Sequence, residues 1–212
     1  MNRTKINKFW NNFYKNFIYR KESNFANFVS KKYLKNKKNL LEIGCGNGRD
    51  SFFFSKKLNV VAIDKSHEAI KQNLEILLNH EKRSINFKKL DAVSKKIFLL
   101  GKFDYVYARF FLHTINSASE KKILNNINKL LKKGGLMFLE FRTINDPLYK
   151  KGKKISKYER ITDHYRRFID SKKFISQKII KQNFTINYFL EKKGLAKYKN
   201  ENPSICRLVL KK

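Results

Sequence analysis

Cysteine is nearly absent: Cys45 and Cys206 are the only two among 212 residues. Two thiols exclude a disulfide framework, and without a CxxC pair or a Cys/His cluster the sequence offers no zinc site. Acidic residues are also scarce, 17 Asp+Glu against 49 Lys+Arg, for a formal net charge of +32. Long hydrophobic runs are missing. The longest, such as 97–100 and 136–139, fall far short of the ~20 residues needed to cross a bilayer. The first ten residues are basic and lack the apolar stretch of a secretory signal. Disulfide-rich secreted and membrane-spanning classes therefore fall away, and a cytoplasmic location is expected.

What is present suits a globular domain. Hydrophobic residues make up 42%, including 19 Phe, and a chain of this length buries roughly 70% of its unfolded surface. The positive charge favours anionic partners such as phosphorylated metabolites, nucleic acid or an acidic membrane surface. The lysines are nevertheless scattered, with pairs at 31–32, 56–57, 95–96 and 132–133, so a compositional drift that fills ordinary solvated positions with Lys explains them equally.

The hydrophobic pattern changes along the chain. Phe9, Phe13 and Phe17, then Phe25, Phe28 and Val29, recur at spacings of three and four, which predicts two helices, the second capped by Ser23. From about residue 38, short apolar runs (39–43, 59–63, 85–90, 103–108, 136–141) alternate with helical stretches (49–57, 67–78, 120–131). Near-continuous apolar strands separated by helices predict a parallel sheet covered on both faces. The stretch 143–170 is polar, basic and rich in Tyr and Arg, 171–181 reads as a helix, and 185–191 with 204–210 reads as a closing antiparallel pair. His67 and His80 fall on surface helix positions, Met137 in the core, and Asp104 near the start of its strand, away from any ligand.

The chemistry concentrates in Glu42-Ile43-Gly44-Cys45-Gly46-Asn47-Gly48, directly after the first apolar strand and before a helix. Gly44 allows a tight turn, Gly46 and Gly48 let a ligand approach the main chain, and the following helix presents unpaired N–H groups. Asp64, 20 residues beyond Gly44, ends the second strand, where a βαβ unit places an acid on ribose hydroxyls. Dinucleotide folds use GxGxxG. Here the pattern is GxGxG, with Arg49 next and Glu42 just before the turn, which suits a phosphate-free ligand bearing a cationic amino group.

At these residues the sequence resembles the class I S-adenosylmethionine-dependent methyltransferases. Further stretches extend the likeness across residues 38–142: Val60–Asp64, Leu90-Asp91-Ala92, Phe103–Tyr107 with Ala108-Arg109-Phe110, and the LLKKGG of 130–135 before a fifth strand. The resemblance implies an α/β, Rossmann-like, seven-stranded, mostly parallel sheet of order 3-2-1-4-5-7-6, flanked by helices. It also implies a helical cap over residues 1–37, a catalytic domain over 38–212 and a substrate-binding insertion near 143–170. S-adenosyl-L-methionine would be the cofactor, with no metal. Glu42, Gly44, Cys45, Gly46 and Gly48 would hold its methionine part, Asp64 with Lys65 its ribose, Asp91 with Ala92 its adenine, while Arg109 and Phe110 would border the methyl group.

For the acceptor, the fourth strand lacks the Asn/Asp-Pro-Pro-aromatic run of nucleic-acid amino-methylating enzymes and continues instead through Phe110-Phe111-Leu112-His113. Arg142, Tyr149, Tyr165, Arg166 and Arg167, joined by Tyr14 from the N-terminal segment, are the expected acceptor-binding residues, since guanidinium forks suit phosphate or carboxylate. His113 and His164 are the candidate bases. The segment 142–168 is similar to a subgroup of bacterial methyltransferases associated with capsule and surface-polysaccharide synthesis. That likeness implies O-methylation of a small phosphorylated or nucleotide-linked acceptor. An RNA methyltransferase and a non-catalytic cofactor-binding subunit stand as alternatives.

Overall fold

The computed structural model describes residues 3–16, 21–79, 83–198 and 200–212, with side chains from Asn7 onward. Phe17 and His80 lie outside the described residues. Two helices lead, α1 (Arg3–Asn16) and α2 (Asn24–Lys32). The alternating body follows: β1 (Asn39–Ile43), α3 (Arg49–Phe54), β2 (Asn59–Asp64), α4 (His67–Leu78), β3 (Ile85–Lys89), β4 (Phe103–Arg109), α5 (Ser117–Leu130) and β5 (Leu131–Arg142). Three short strands form a separate small sheet, β6 (Lys153–Lys154), β7 (Glu159–Ile161) and β8 (Tyr165–Arg167). After α6 (Ser171–Phe174), the chain closes with β9 (Thr185–Lys192) and β10 (Ile205–Lys211). No described helix is long and apolar enough to cross a membrane.

The main sheet has seven strands in the order β3-β2-β1-β4-β5-β10-β9. With the small sheet left out of the numbering, this is the expected 3-2-1-4-5-7-6. Strands β1 to β5 are parallel, and β10 enters antiparallel between β5 and β9. Alternation along each strand feeds two cores. Leu41, Ile43, Ile63, Val106, Met137 and Leu139 face α5 through Ile123, Leu124 and Ile127. Leu40, Val60, Ala62, Tyr107 and Phe138 face Phe25 and Val29 of α2 and Ile70 of α4. Each such side chain, fully buried, contributes about 1.5–3 kcal/mol of transfer free energy.

Ser23 caps α2 by accepting from the Ala26 N–H at 3.0 Å. Its own N–H and Oγ donate to the buried Asp50 carboxylate, both at 2.7 Å, and Tyr107 donates to the same group at 2.8 Å. The cap is thereby fastened to α3 and β4.

Three elements differ from expectation. The helix after the glycine loop stops at Phe54 rather than Lys57. The segment expected as a helix over 171–181 is α-helical only to Phe174, then widens into a π turn (Ile175–Ile179) and tightens into a 3-10 turn (Ile180–Gln182). The LLKKGG stretch belongs to β5, because the Gly134 N–H donates to the Lys212 carbonyl and the Lys212 N–H to that of Gly135, extending the ladder. The stretch 159–167 forms β7 and β8, which pair as a hairpin.

Candidate active site

Parallel strands end at one edge, and there a cleft of about 780 Å³ opens between the sheet, α1 and the small sheet. Its floor is the glycine loop. Gly44 and Gly46 adopt positive φ (72° and 51°), and the Gly46 N–H donates to Asp64 Oδ2 at 2.9 Å. Asp64 Oδ1 accepts the Ser66 N–H at 2.8 Å, so backbone donors hold both carboxylate oxygens. The Gly46 carbonyl accepts from Asn73 Nδ2 at 2.8 Å, which pins the loop to α4. A Cβ on Gly46 would lie 2.4 Å from the Tyr14 hydroxyl, so α1 rests directly on the loop. Gly48 serves another purpose: its Cβ would meet Asn73 Oδ1 at 2.8 Å and Phe87 at 3.0 Å, and it does not line the cleft. Its glycine is required by packing against α4 and β3, which corrects its assignment to the ligand.

Burial sets the ionisation of this floor. Desolvation, followed by the charge of Asp50, pushes the Glu42 carboxyl well above the usual range. Burial also raises Asp64, Tyr14 and the Cys45 thiol, so Cys45 stays an un-ionised packed side chain. Further along the cleft, Asp91 accepts the Val93 N–H at 3.0 Å and pairs with Lys65 at 3.3 Å, with Ala92 buried beside it.

The other half of the cleft is built on a row of charges across three strands. Arg109, Glu140 and Arg207 are register partners on β4, β5 and β10. Arg109 Nε donates to Glu140 Oε1 at 2.9 Å, and Arg207 Nε to Oε2 at 2.7 Å. Phe110 follows with φ 52°, and the Arg109 guanidinium lies 4.2 Å from its ring centroid. Arg142 donates to Asp146 at 3.0 Å and to Glu201. Arg166 donates to Asp163 at 2.9 Å and Thr162 at 2.8 Å. The arginines expected to await an anion already have carboxylate partners.

The two histidines are both held neutral, in different ways. His113 Nδ1 accepts the Arg142 N–H at 3.4 Å, and burial with the surrounding Arg142 charge drives its pKa far below the usual value. That pairing leaves the ring proton on Nε2, making His113 a donor and removing it as a base. His164 Nδ1 lies 2.9 Å from Asp163 Oδ2 without the angle of a hydrogen bond; burial, then the Arg166 charge, lowers its pKa to about 4. Phe9 stacks on this imidazole at 4.4 Å and Trp10 meets it edge-on at 5.2 Å. With Asn11 accepting from Ser66 Oγ at 2.7 Å, α1 roofs both halves of the cleft.

Glu42, Gly44, Cys45, Gly46, Asp64, Lys65, Asp91, Ala92, Arg109, Phe110, His113, His164, Tyr14, Arg142, Tyr165 and Arg166 all line this one cleft. Tyr149 and Arg167 do not. The Tyr149 hydroxyl donates to the Lys157 carbonyl at 2.8 Å, bracing the base of the small sheet. Arg167 points inward, donating to the Leu112 and Ile115 carbonyls at 3.0 and 2.9 Å and to Glu120. Sequence reasoning passed over Asp50, Asn73 and Arg207. Asp50, an acid in the first turn after the glycine loop, carried a signal; Arg207, paired across 67 positions, carried none.

Residues 41–137 match the family model of a methyltransferase domain. A tRNA (guanine-N(7)-)-methyltransferase of Mycoplasma capricolum is 28% identical over 199 residues, covering 84% of each chain. Among solved structures, an S-adenosylmethionine-dependent methyltransferase from Methanosarcina mazei superposes with TM-score 0.74 at 21% identity, over 87% of this chain and 96% of its own. A glycopeptide N-methyltransferase complexed with S-adenosylmethionine gives 0.67 at 12% identity, over 90% and 95%. At such identities the superpositions establish the fold. Residues 41–137 thus carry the pattern of a methyltransferase domain, on the fold shared with S-adenosylmethionine-dependent methyltransferases.

Proposed function

We propose that the chain transfers a methyl group to a small, uncharged acceptor unit enclosed beneath α1. The cofactor fits the floor of the cleft by its donor set. Asp64 offers carboxylate acceptors to a ribose diol, Asp91 an acceptor to an exocyclic amine, and Asp50 a counter-charge to a cationic amino group, with Glu42 beside it as a hydrogen-bonding group. When bound, S-adenosylmethionine supplies a methyl group that a nucleophile's lone pair attacks as the carbon–sulfur electrons return to sulfur.

The chain's own part is positioning and desolvation. The roof formed by Phe9, Trp10 and Tyr14 excludes water from both halves. The charge row Arg109–Glu140–Arg207 holds the end of β4 and sets Phe110 against the cleft. His113 donates a hydrogen bond into the acceptor half. His164, held neutral beside Asp163, keeps one nitrogen lone pair and would take the proton of a hydroxyl or amine acceptor.

The observation carrying the choice of an uncharged unit is the pairing of Arg142 with Asp146 and Glu201, and of Arg166 with Asp163. Two of the arginines expected to bind an anion are thus neutralised, and a third, Arg167, faces inward. The sequence favoured an anionic unit methylated at oxygen in surface-polysaccharide synthesis; that role rests on the likeness of 142–168, with that of 9–14 and 24–26. The test is calorimetry. Asp64→Ala should weaken S-adenosylmethionine binding by about 1–3 kcal/mol as a charged acceptor is lost. Unchanged affinity would refute the assigned register.

A further inference from the structure

Charge is distributed unevenly between the cleft and its surroundings. Among the described residues, nine Asp and Glu line the cleft against six Lys and Arg. The interior is therefore slightly acidic inside a chain of net charge +32. The excess cations lie outside, and one group stands at the mouth.

The segment 147–158 holds Lys150, Lys151, Lys153, Lys154 and Lys157 with no acidic residue, and every residue from Lys150 to Lys157 is exposed. Among the described residues none of these five lysines has a carboxylate within ion-pair distance. The segment includes β6 and borders the cleft through Ile155, which is 50% exposed. Lys197 and Tyr198 also line the mouth, and Phe13 of α1 does so as well; the two rings are 44% and 38% exposed. Cations without carboxylate partners, beside partly exposed aromatic rings at the edge of a slightly acidic pocket, are the reverse of a site for a free anion.

We propose that this rim docks single-stranded RNA, the lysines of 150–157 holding the phosphates while one unpaired base enters the acceptor half of the cleft. The proposal rests on the methyl-transfer reading and names its acceptor class. Phosphates stay outside, where cations are unpaired; the uncharged base goes inside, where the arginines are already satisfied. Exposed Phe13 and Tyr198 suit the faces of neighbouring bases, since base–aromatic stacking contributes without regard to sequence. An acidic polysaccharide would use the same lysines but gain nothing from the rings. The relative from Mycoplasma capricolum, a tRNA methyltransferase, supports the choice.

The test is fluorescence anisotropy with a short labelled single-stranded RNA, titrated at several salt concentrations. The wild-type chain is compared with a variant carrying Lys→Gln at 150, 151, 153, 154 and 157. The variant should bind RNA about 10-fold or more weakly. Its log–log salt slope should flatten by about 3, since each phosphate contact on a single strand contributes ~0.7. Wild-type affinity for a length-matched polygalacturonate should be about 10-fold lower than for the RNA. Calorimetric affinity for S-adenosylmethionine should be unchanged in the variant, because none of the five residues reaches the glycine loop. Equal RNA binding by wild type and variant would overturn the rim, and equal binding of polygalacturonate and RNA would overturn the choice of partner. A wild-type chain that takes up no S-adenosylmethionine would overturn the methyl-transfer reading, and this proposal with it.

Discussion

Placing a single methyl group on Gly46 tests whether α1 truly seats on the glycine loop. Gly46→Ala introduces two separable costs. The first is backbone strain: at φ 51° an L side chain costs about 1–2 kcal/mol, whatever surrounds it. The second is steric, since the new Cβ would lie 2.4 Å from the Tyr14 hydroxyl, 2.7 Å from Cζ and 2.8 Å from Cε1. Those atoms belong to the far end of a side chain, so the roof would shift rather than the loop, at a cost of about 1–3 kcal/mol for overpacking. In a Tyr14→Ala background only the strain remains. A double-mutant cycle by urea denaturation should therefore return a coupling of about 1–3 kcal/mol between the two sites. S-adenosylmethionine calorimetry on the same four proteins should show the loss caused by Gly46→Ala partly restored when Tyr14 is removed. If Gly46→Ala costs the same in both backgrounds, Tyr14 does not sit on the loop and the enclosed cleft is wrong.

Arg167→Ala should destabilise the fold by about 3 kcal/mol, because it strips a buried partner from Glu120 and two loop carbonyls. Thermal unfolding reads this, and a stable variant with a raised acceptor KM would instead return Arg167 to the site. His113→Gln should lower turnover by less than about 10-fold, as suits a donor; a loss near 10²-fold would restore it as the base. His164 has a folded pKa of about 4, below its ordinary 6.5. Neutral His164 is the form the fold prefers, so its contribution to stability is complete above pH 6.5 and is lost as the pH falls towards 4. Denaturation midpoints across that window should fall in the wild-type chain and fall less in His164→Gln; parallel curves would refute the assignment.

The parallel core was legible because its signals are local. The near-continuous apolar runs of 39–43 and 59–63, the 3.6-residue period of 67–78 and the Gly44–Gly48 turn each depend on neighbours a few positions apart. Ser23 was readable as a cap for the same reason. The acceptor half was not, since its geometry is set by partners far apart in the chain. Arg142 finds Glu201 across 59 positions and Arg109 finds Glu140 across 31, so a list of arginines says nothing about which are already satisfied. Arg167 illustrates the cost. Its neighbour Arg166 lines the cleft, but alternation along β8 turns the next side chain to the opposite face and into the protein. The roof was only half legible: periodicity marked α1 as a helix, while its seat on Gly46 and its stack on His164 depended on how the small sheet folds back.

The direction of β10 has a consequence of its own. Every parallel strand delivers its last residues to the ligand-bearing edge, but a reversed strand delivers its first. Arg207, five positions from the final residue of the sequence given, therefore stands behind the cleft and neutralises Glu140 beside Arg109. Clipping the tail back to the loop at 200 would do more than fray a margin: it would strand a buried carboxylate in the cleft lining with one guanidinium instead of two.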